Sequence, residues 1–207
     1  MLTPEDARPW YPADPVHGFD HVLRVYQLAG RLAEAEGADL EIVQAAVLLH
    51  DADSPGANRL QHHHAAAGFA GEVLHREGWP EERIAAVQHA IRAHRFRDDA
   101  EQPQTLEAMI LFDADKLDAI GAIGVARAVA YAAKHDQPAY AEPSPRFRQT
   151  GEPEPGESHS AYHEYLFKLS KLKDRLYTAS GKQLAEERHC RMRQFFDDLA
   201  TEVSGES

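Results

Sequence analysis

The stretch AAVLLHDADS, residues Ala45 to Ser54, decides how the chain is read. Ala45 to Leu49 is apolar without interruption, and it ends on His50 and Asp51, with a second carboxylate at Asp53. From Leu40 to His50 the pattern is apolar nearly all round, which predicts a helix buried in the middle of a bundle. The residues Asp53-Ser54-Pro55-Gly56 then stop it. A segment built like the inside of a protein therefore delivers an imidazole and a carboxylate at its end, and that placement asks for a chemical reason.

Working outward, the neighbouring segments also carry helical spacing. Phe19, Val22, Leu23, Val25, Tyr26, Ala29, Leu32 and Ala33 predict a helix from about 19 to 36, ended by Gly37. Thr3, Pro4, Glu5 and Asp6 give a short entry helix, with a capping residue, proline at the first helical position and early acids. Helices are expected over 62–77 and 80–95, the second opened by Pro80 with Glu81 and Glu82. Leu106 to Lys134 is long and largely apolar, and reads as one central helix. The segment 135–158 holds five prolines and no periodicity, so it reads as a long loop or lid. Ser160 to Val203 gives two more helices, with Gly181 as the break between them. The expected fold is all-α: a helical core over 1–134, the proline-rich loop over 135–158, and a C-terminal helical pair over 159–207 packed on the core.

Composition narrows the function. At 207 residues the chain can bury a substantial core, and 43% hydrophobic with 27% charged residues is ordinary for a soluble globular protein. The net charge of −12 argues against nucleic acid as the main partner, because displacing phosphate counterions needs a broad basic face. The single cysteine, Cys190, cannot form an internal disulfide, which suits a reducing compartment. The first residues carry no export signal, and no apolar run is long enough for a membrane span, so the expected location is cytoplasmic.

Three apolar helix faces are interrupted by ionisable groups: His21 on the first, His50 and Asp51 on the second, Asp113, Asp115 and Asp118 on the long third. Burying an unpaired carboxylate costs several kcal/mol, on the order of 3–5 when a buried charge loses its partner. Convergence on a cation removes that cost. Imidazoles and carboxylates together form a mixed nitrogen–oxygen set suited to manganese, iron, nickel, cobalt or zinc. Taken singly, each residue has a plainer reading as a core histidine, a cap or an ion-pair partner.

The order His21 … His50-Asp51 … Asp115 resembles the HD-domain superfamily of metal-dependent phosphohydrolases. The strings HGFDHVLRVYQLA, AAVLLHD, AIRAHRF and DADKLDAIGAIGVAR are similar to a branch of small bacterial and archaeal HD hydrolases. That resemblance implies an all-helical HD bundle, here with two additional C-terminal helices. It also implies that His21, His50, Asp51 and Asp115 bind a divalent ion (manganese, iron, nickel, cobalt, zinc or magnesium). The implied reaction is hydrolysis of a small phosphorylated substrate, a nucleotide foremost, by metal-activated water, in a monomer or homodimer. A di-iron oxygenase on an HD scaffold and a non-catalytic nucleotide-binding module are the alternatives.

Around that set, His94 and His64 are expected to contact phosphate or transfer protons in preference to holding a second ion, while His62, His63 and His75 are read as solvated. His89 and His94, five residues apart, point about 140° from each other on a helix and cannot both face one point squarely. Asp53 is either a general acid–base group or a turn cap. Lys116, Arg95 and Arg127 are the expected substrate-binding cations, with Arg92 and Arg97 as further candidates. For Lys116, pairing with Asp113 three residues earlier has equal weight. Arg127 either reaches the cleft or caps the loop.

Overall fold

The central helix expected from the opening stretch is α3, Leu40–Leu49, and Ile42, Val43 and Ala45 to Leu49 are all buried in it. Asp39 starts it: its carboxylate accepts the N–H groups of Glu41 and Ile42, each at 3.1 Å, satisfying donors that a helix end leaves unpaired. Arg83 grips that same carboxylate with both terminal nitrogens, at 2.8 and 3.1 Å, and Glu41 at 2.8 Å. The computed structural model describes residues 2–11, 18–52, 62–95 and 101–205, and among them every regular element is helical.

Two units are defined by their internal contacts: Met1–Asp115 with Leu176–Gly181, and Lys116–Arg175 with Lys182–Ser207. In the first unit the order is α1 (Pro4–Ala7), a single 3₁₀ turn, α2 (Phe19–Glu36), α3, α4 (His62–Arg76) and α5 (Glu81–Ala93). Helix α6 (Leu106–Leu117) enters after it. Helix α3 packs on α1, α2, α4 and α5, so the apolar helix is the hub. Helix α2 buries one stripe, Phe19, His21, Val22, Val25, Leu28, Ala29 and Leu32, and ends on Gly37 in the left-handed region at φ 75°. Helices α4 and α5 pack together, and Gly71 on α4 leaves room for the Gln88 amide, which donates to the Ala67 carbonyl at 2.9 Å.

In the second unit, α7 (Gly121–Lys134) packs on α9 (Ala161–Phe167), which is followed by a 3₁₀ stretch over Leu169–Arg175. Helix α8 (Pro145–Thr150) lies between α7 and α9 in sequence, and α10 (Ala179–Ser204) closes the chain. Phe196 is fully buried and stacks on Tyr165 at 4.5 Å, whereas Phe195 is exposed.

Three expectations are corrected here. Leu106 to Lys134 is two helices, because Gly121 takes φ 77° and Arg188 occupies the space its Cβ would need. The proline-rich segment contains α8: Ser144 caps it by accepting the Phe147 N–H at 3.0 Å, Pro145 starts it, and Gly151 ends it at φ 77°. Gly181 does not break the C-terminal pair. It lies inside the first turn of α10, and the interruption falls at Leu176 to Thr178.

Candidate metal centre

His21, on the buried stripe of α2, is 3% exposed, and His50, the residue that caps the C-terminus of α3, is wholly buried. The His21 Nε2 lies 3.4 Å from a carboxylate oxygen of Asp115 on α6. The His50 Nε2 lies 3.5 Å from Asp51 Oδ2, and the two imidazole centroids are 5.7 Å apart. One ligand atom from each of His21, His50 and Asp51 falls within 4.8 Å of the others. All four residues whose order prompted the metal reading belong to one unit of the molecule.

A second group shares Asp51. Its Oδ1 is 3.4 Å from His62 Nε2, at the start of α4, and 3.6 Å from His94 Nε2, just past α5. These three also offer ligand atoms within 4.8 Å of one another. The histidines expected to be solvated at 62 and 63 are therefore placed differently. His62 faces Asp51, and His63 is 4% exposed with its Nδ1 3.3 Å from an Arg95 nitrogen. His64, expected at the site, is exposed, and its ring lies tilted against that of His63 at 4.1 Å. The helix rotates by about 100° per residue, so of three consecutive histidines only one can address Asp51.

The ring tautomers follow from the hydrogen bonds. His50 Nδ1 lies 2.7 Å from the Val47 carbonyl, and His94 Nδ1 contacts the Ile91 carbonyl. A carbonyl only accepts, so in each ring Nδ1 carries the hydrogen and Nε2 turns its lone pair to the site. Burial pushes the His50 imidazole below its ordinary value, against the attraction of the Asp51 and Asp115 carboxylates, which keeps it in the neutral form a ligand needs. Burial alone would raise the Asp51 carboxyl, but His50, His62 and His94 outweigh it and hold that group well below the usual carboxylate range. Tyr11, which the sequence pattern did not single out, donates its hydroxyl to the Leu48 carbonyl at 3.0 Å. Burial and the nearby Asp51 charge push its phenol well up, so it stays a donor that steadies the end of α3.

These separations test the fit to an ion. At 3.4–3.6 Å the nitrogen–oxygen pairs exceed the 2.7–3.2 Å of ordinary N–H···O hydrogen bonds. Two ligand atoms each about 2.1 Å from one ion sit at most about 4.2 Å apart, so the observed spacing suits a shared cation. The His50 Nε2 and Asp51 Oδ1 are buried and have no hydrogen-bond partner, which is costly unless something bonds them. The donor set fits a divalent metal.

Of the expected substrate cations, Arg95 adjoins the second group through its neighbour His94 and its contact with His63. Arg127 is committed elsewhere: it donates to the Asp118 carboxylate at 2.8 Å and the Asp118 carbonyl at 3.1 Å, bracing the turn between α6 and α7. Lys116, 8% exposed, follows Asp115 on α6. Its suggested partner Asp113 accepts the Tyr177 and Thr178 N–H groups at 2.9 and 2.8 Å. Arg92 pairs with Glu101 at 2.9 Å, and His89 with the same carboxylate at 2.8 Å, both pointing off the site. Asp53 and Arg97 lie outside the described residues.

An all-helical bundle in which His21, His50 and Asp51 offer ligand atoms to one place, with Asp115 beside His21, defines a class, and family comparison gives the same one: the HD domain model matches residues 18–120. The chain belongs to the HD-domain superfamily. It is 35% identical over 195 residues to YpgQ of Bacillus subtilis, covering 91% of this chain and 85% of that protein. The crystal structure of YpgQ in complex with ADP superposes with a TM-score of 0.74 at 30% identity, covering 99% of this chain and all of that one. An HD-superfamily hydrolase from Bacillus thuringiensis follows at TM-score 0.69 and 30% identity, over 91% of this chain and 87% of its own. No described helix is long and apolar enough to cross a membrane.

Proposed function

We propose that this HD-superfamily protein is a metal-dependent phosphohydrolase that cleaves a phosphate ester or anhydride of a nucleotide, using water activated at the His21–His50–Asp51–Asp115 centre. The observation that carries the reading is the pair of buried atoms, His50 Nε2 and Asp51 Oδ1, without a hydrogen-bond partner, beside nitrogen–oxygen separations longer than ordinary hydrogen bonds. A divalent ion bound there supplies Lewis acidity and lowers the pKa of a coordinated water towards 7. Asp51 faces both groups of candidate ligands, so its carboxylate is suited to bridge two positions, with His62 and His94 on the outer one. This reading replaces the phosphate-contact role for His94 and assigns none to His64.

Arg95 is the favoured phosphate contact, because a planar guanidinium recognises phosphoryl oxygens in pairs and this one adjoins His94. Lys116 is a second candidate on α6, one residue beyond Asp115. The nucleotide class is supported by the relative YpgQ, whose structure was solved with ADP. The histidine-rich outer group also favours one other reading, a di-iron oxygenase. Metal analysis of the purified protein, oxygen uptake, and phosphate release from nucleoside di- and triphosphates with added manganese, cobalt, nickel or magnesium separate the two. Phosphate or pyrophosphate release without oxygen consumption is expected. Oxygen uptake with bound iron and no phosphate release would overturn the hydrolase reading.

A further inference from the structure

The strap Leu176–Gly181, which runs into the first turn of α10, belongs to the first unit although its sequence lies some sixty residues beyond α6. It is held at two helices. On α6, the fully buried Asp113 carboxylate accepts the Tyr177 N–H at 2.9 Å, the Thr178 N–H at 2.8 Å and the Thr178 hydroxyl at 2.6 Å. Thr178 Oγ1 in turn accepts the Gly181 N–H at 3.1 Å, capping α10. At the end of α2, Glu36 accepts the Ser180 N–H at 2.7 Å. The Tyr177 ring meets Phe112 edge-on at 5.1 Å, and its hydroxyl donates to Gln102 at 2.8 Å. Helix α2 carries His21 and α6 carries Asp115, the pair 3.4 Å apart at the candidate metal centre.

We propose that Asp113 is a positioning residue: by gripping Tyr177 and Thr178 it fixes the rotation of α6 and so sets the Asp115 carboxylate against His21. The inference rests on the metal reading of that centre. Asp113 and Asp115 are two residues apart, about 200° around the helix, so the clamp holds one side of α6 while the ligand faces the other. A rotation of about 20° would carry the Asp115 carboxylate roughly 2 Å, enough to break coordination. A carboxylate is needed because both of its oxygens accept from this strap, whereas an amide would turn its NH2 toward one of the donors and leave N–H groups unpaired. Gly181 completes the clamp: a Cβ there would lie 2.5 Å from Asp113 Oδ2 and 2.6 Å from Thr178 Oγ1.

Gly181→Ala in the full chain gives the sharpest test, since alanine raises helix propensity while wedging the clamp. Cobalt titration of the metal-free protein, followed in the visible spectrum, reads the ligand geometry directly. Gly181→Ala, Asp113→Asn and Thr178→Val are expected to weaken cobalt binding about 10- to 100-fold and change the spectrum, as loss of outer partners does. Thr178→Ser, which keeps the hydroxyl, is expected to restore both. Without metal, hydrogen exchange in the variants is expected to speed up in α6 and stay unchanged in α4 and α5. A Gly181→Ala protein that is more heat-stable and binds cobalt as the wild type does would overturn the proposal, as would unaltered α6 exchange. Should Asp113→Asn fail to fold, the alanine and valine variants decide. Wild-type protein that takes up no cobalt would instead sink the metal reading and the positioning role together.

Discussion

Among the described residues each unit holds a cluster in which histidine meets carboxylate, at His163–Glu157 and around Asp51, and the two are finished differently. In the second unit His163 is fully buried between Ser160 and Glu157: its Nδ1 is 2.7 Å from the Ser160 hydroxyl and its Nε2 3.1 Å from Glu157. Glu157 also accepts the Ser144 N–H at 2.8 Å, the Ser144 hydroxyl at 2.7 Å and the Glu154 N–H at 2.6 Å. Both nitrogens of the ring and both carboxylate oxygens are engaged at hydrogen-bond distance. At the hub of the first unit the pairs stand 3.4–3.6 Å apart, and one imidazole nitrogen and one carboxylate oxygen are buried without a bond. Imidazole and carboxylate thus make a closed lock in one place and a set of atoms that could hold a metal ion in the other. Bond length and unmet valence, rather than residue identity, distinguish structure from chemistry.

The comparison can be broken most forcefully at Asp51. Asp51→Ala is expected to lose bound metal, measured by elemental analysis, and to lower phosphate release by about a thousandfold or more, in line with removal of a central catalytic group. His62→Ala and His94→Ala should each reduce the metal-to-protein ratio and cut turnover by about 10- to 100-fold. Neighbouring His64→Ala should stay within about twofold, as expected of an exposed residue. Equal losses at 62 and 64 in steady-state rates would show that the outer group has no ligand role. Arg95→Ala is expected to raise the KM for nucleotide by about tenfold, the loss of roughly one charge-assisted contact, with metal content unchanged.

The closed lock should respond to acid instead of chelators. The donors from Ser144, with further bonds from Glu154 and His163, overcome burial and lower the Glu157 carboxyl from 4.5 to about 2. An acid whose folded value is depressed stabilises the fold fully above its unfolded value and loses that contribution as pH falls through the folded one. The thermal midpoint of wild type should therefore exceed that of Glu157→Gln at neutral pH. The gap should close between about pH 4.5 and 2. Metal content should be the same in both. A gap independent of pH would remove the charge from the argument.

How much of this was legible in the sequence follows from where the signals are local. Helix α3 announced itself through the apolar run from Leu40 onward, its expected Asp-Ser-Pro-Gly stop lying outside the described residues, and α2 through its stripe and Gly37. The break at Gly121 was hidden, because glycine inside an apolar run looks like tolerated helix until its φ is known. Helix α8 was hidden in the opposite way: prolines obscured a Ser-Pro start and a Gly end, which together bound a short helix. At the site, His21, His50 and Asp51 interrupt apolar faces, whereas Asp115 was no more marked than Asp113 and Asp118, and only the resemblance to HD hydrolases singled it out. The choice among His62, His63 and His64 was not marked either, since it depends on the rotational phase of α4 at its first turn. Asp113 was weighed against Lys116 on its own helix, whereas its partners at Tyr177 and Thr178 are more than sixty residues away.

The carbonyl contacts behind His50 and His94 have a consequence for how an ion would arrive. Each ring is anchored to the backbone three residues earlier in its own chain segment, so its lone pair is aimed by folding itself. Little conformational freedom is left for a cation to remove on entry, which favours tight uptake. Protein stripped by a chelator should accordingly keep its far-ultraviolet dichroism, and reloading should proceed as a simple bimolecular event with no slow refolding phase.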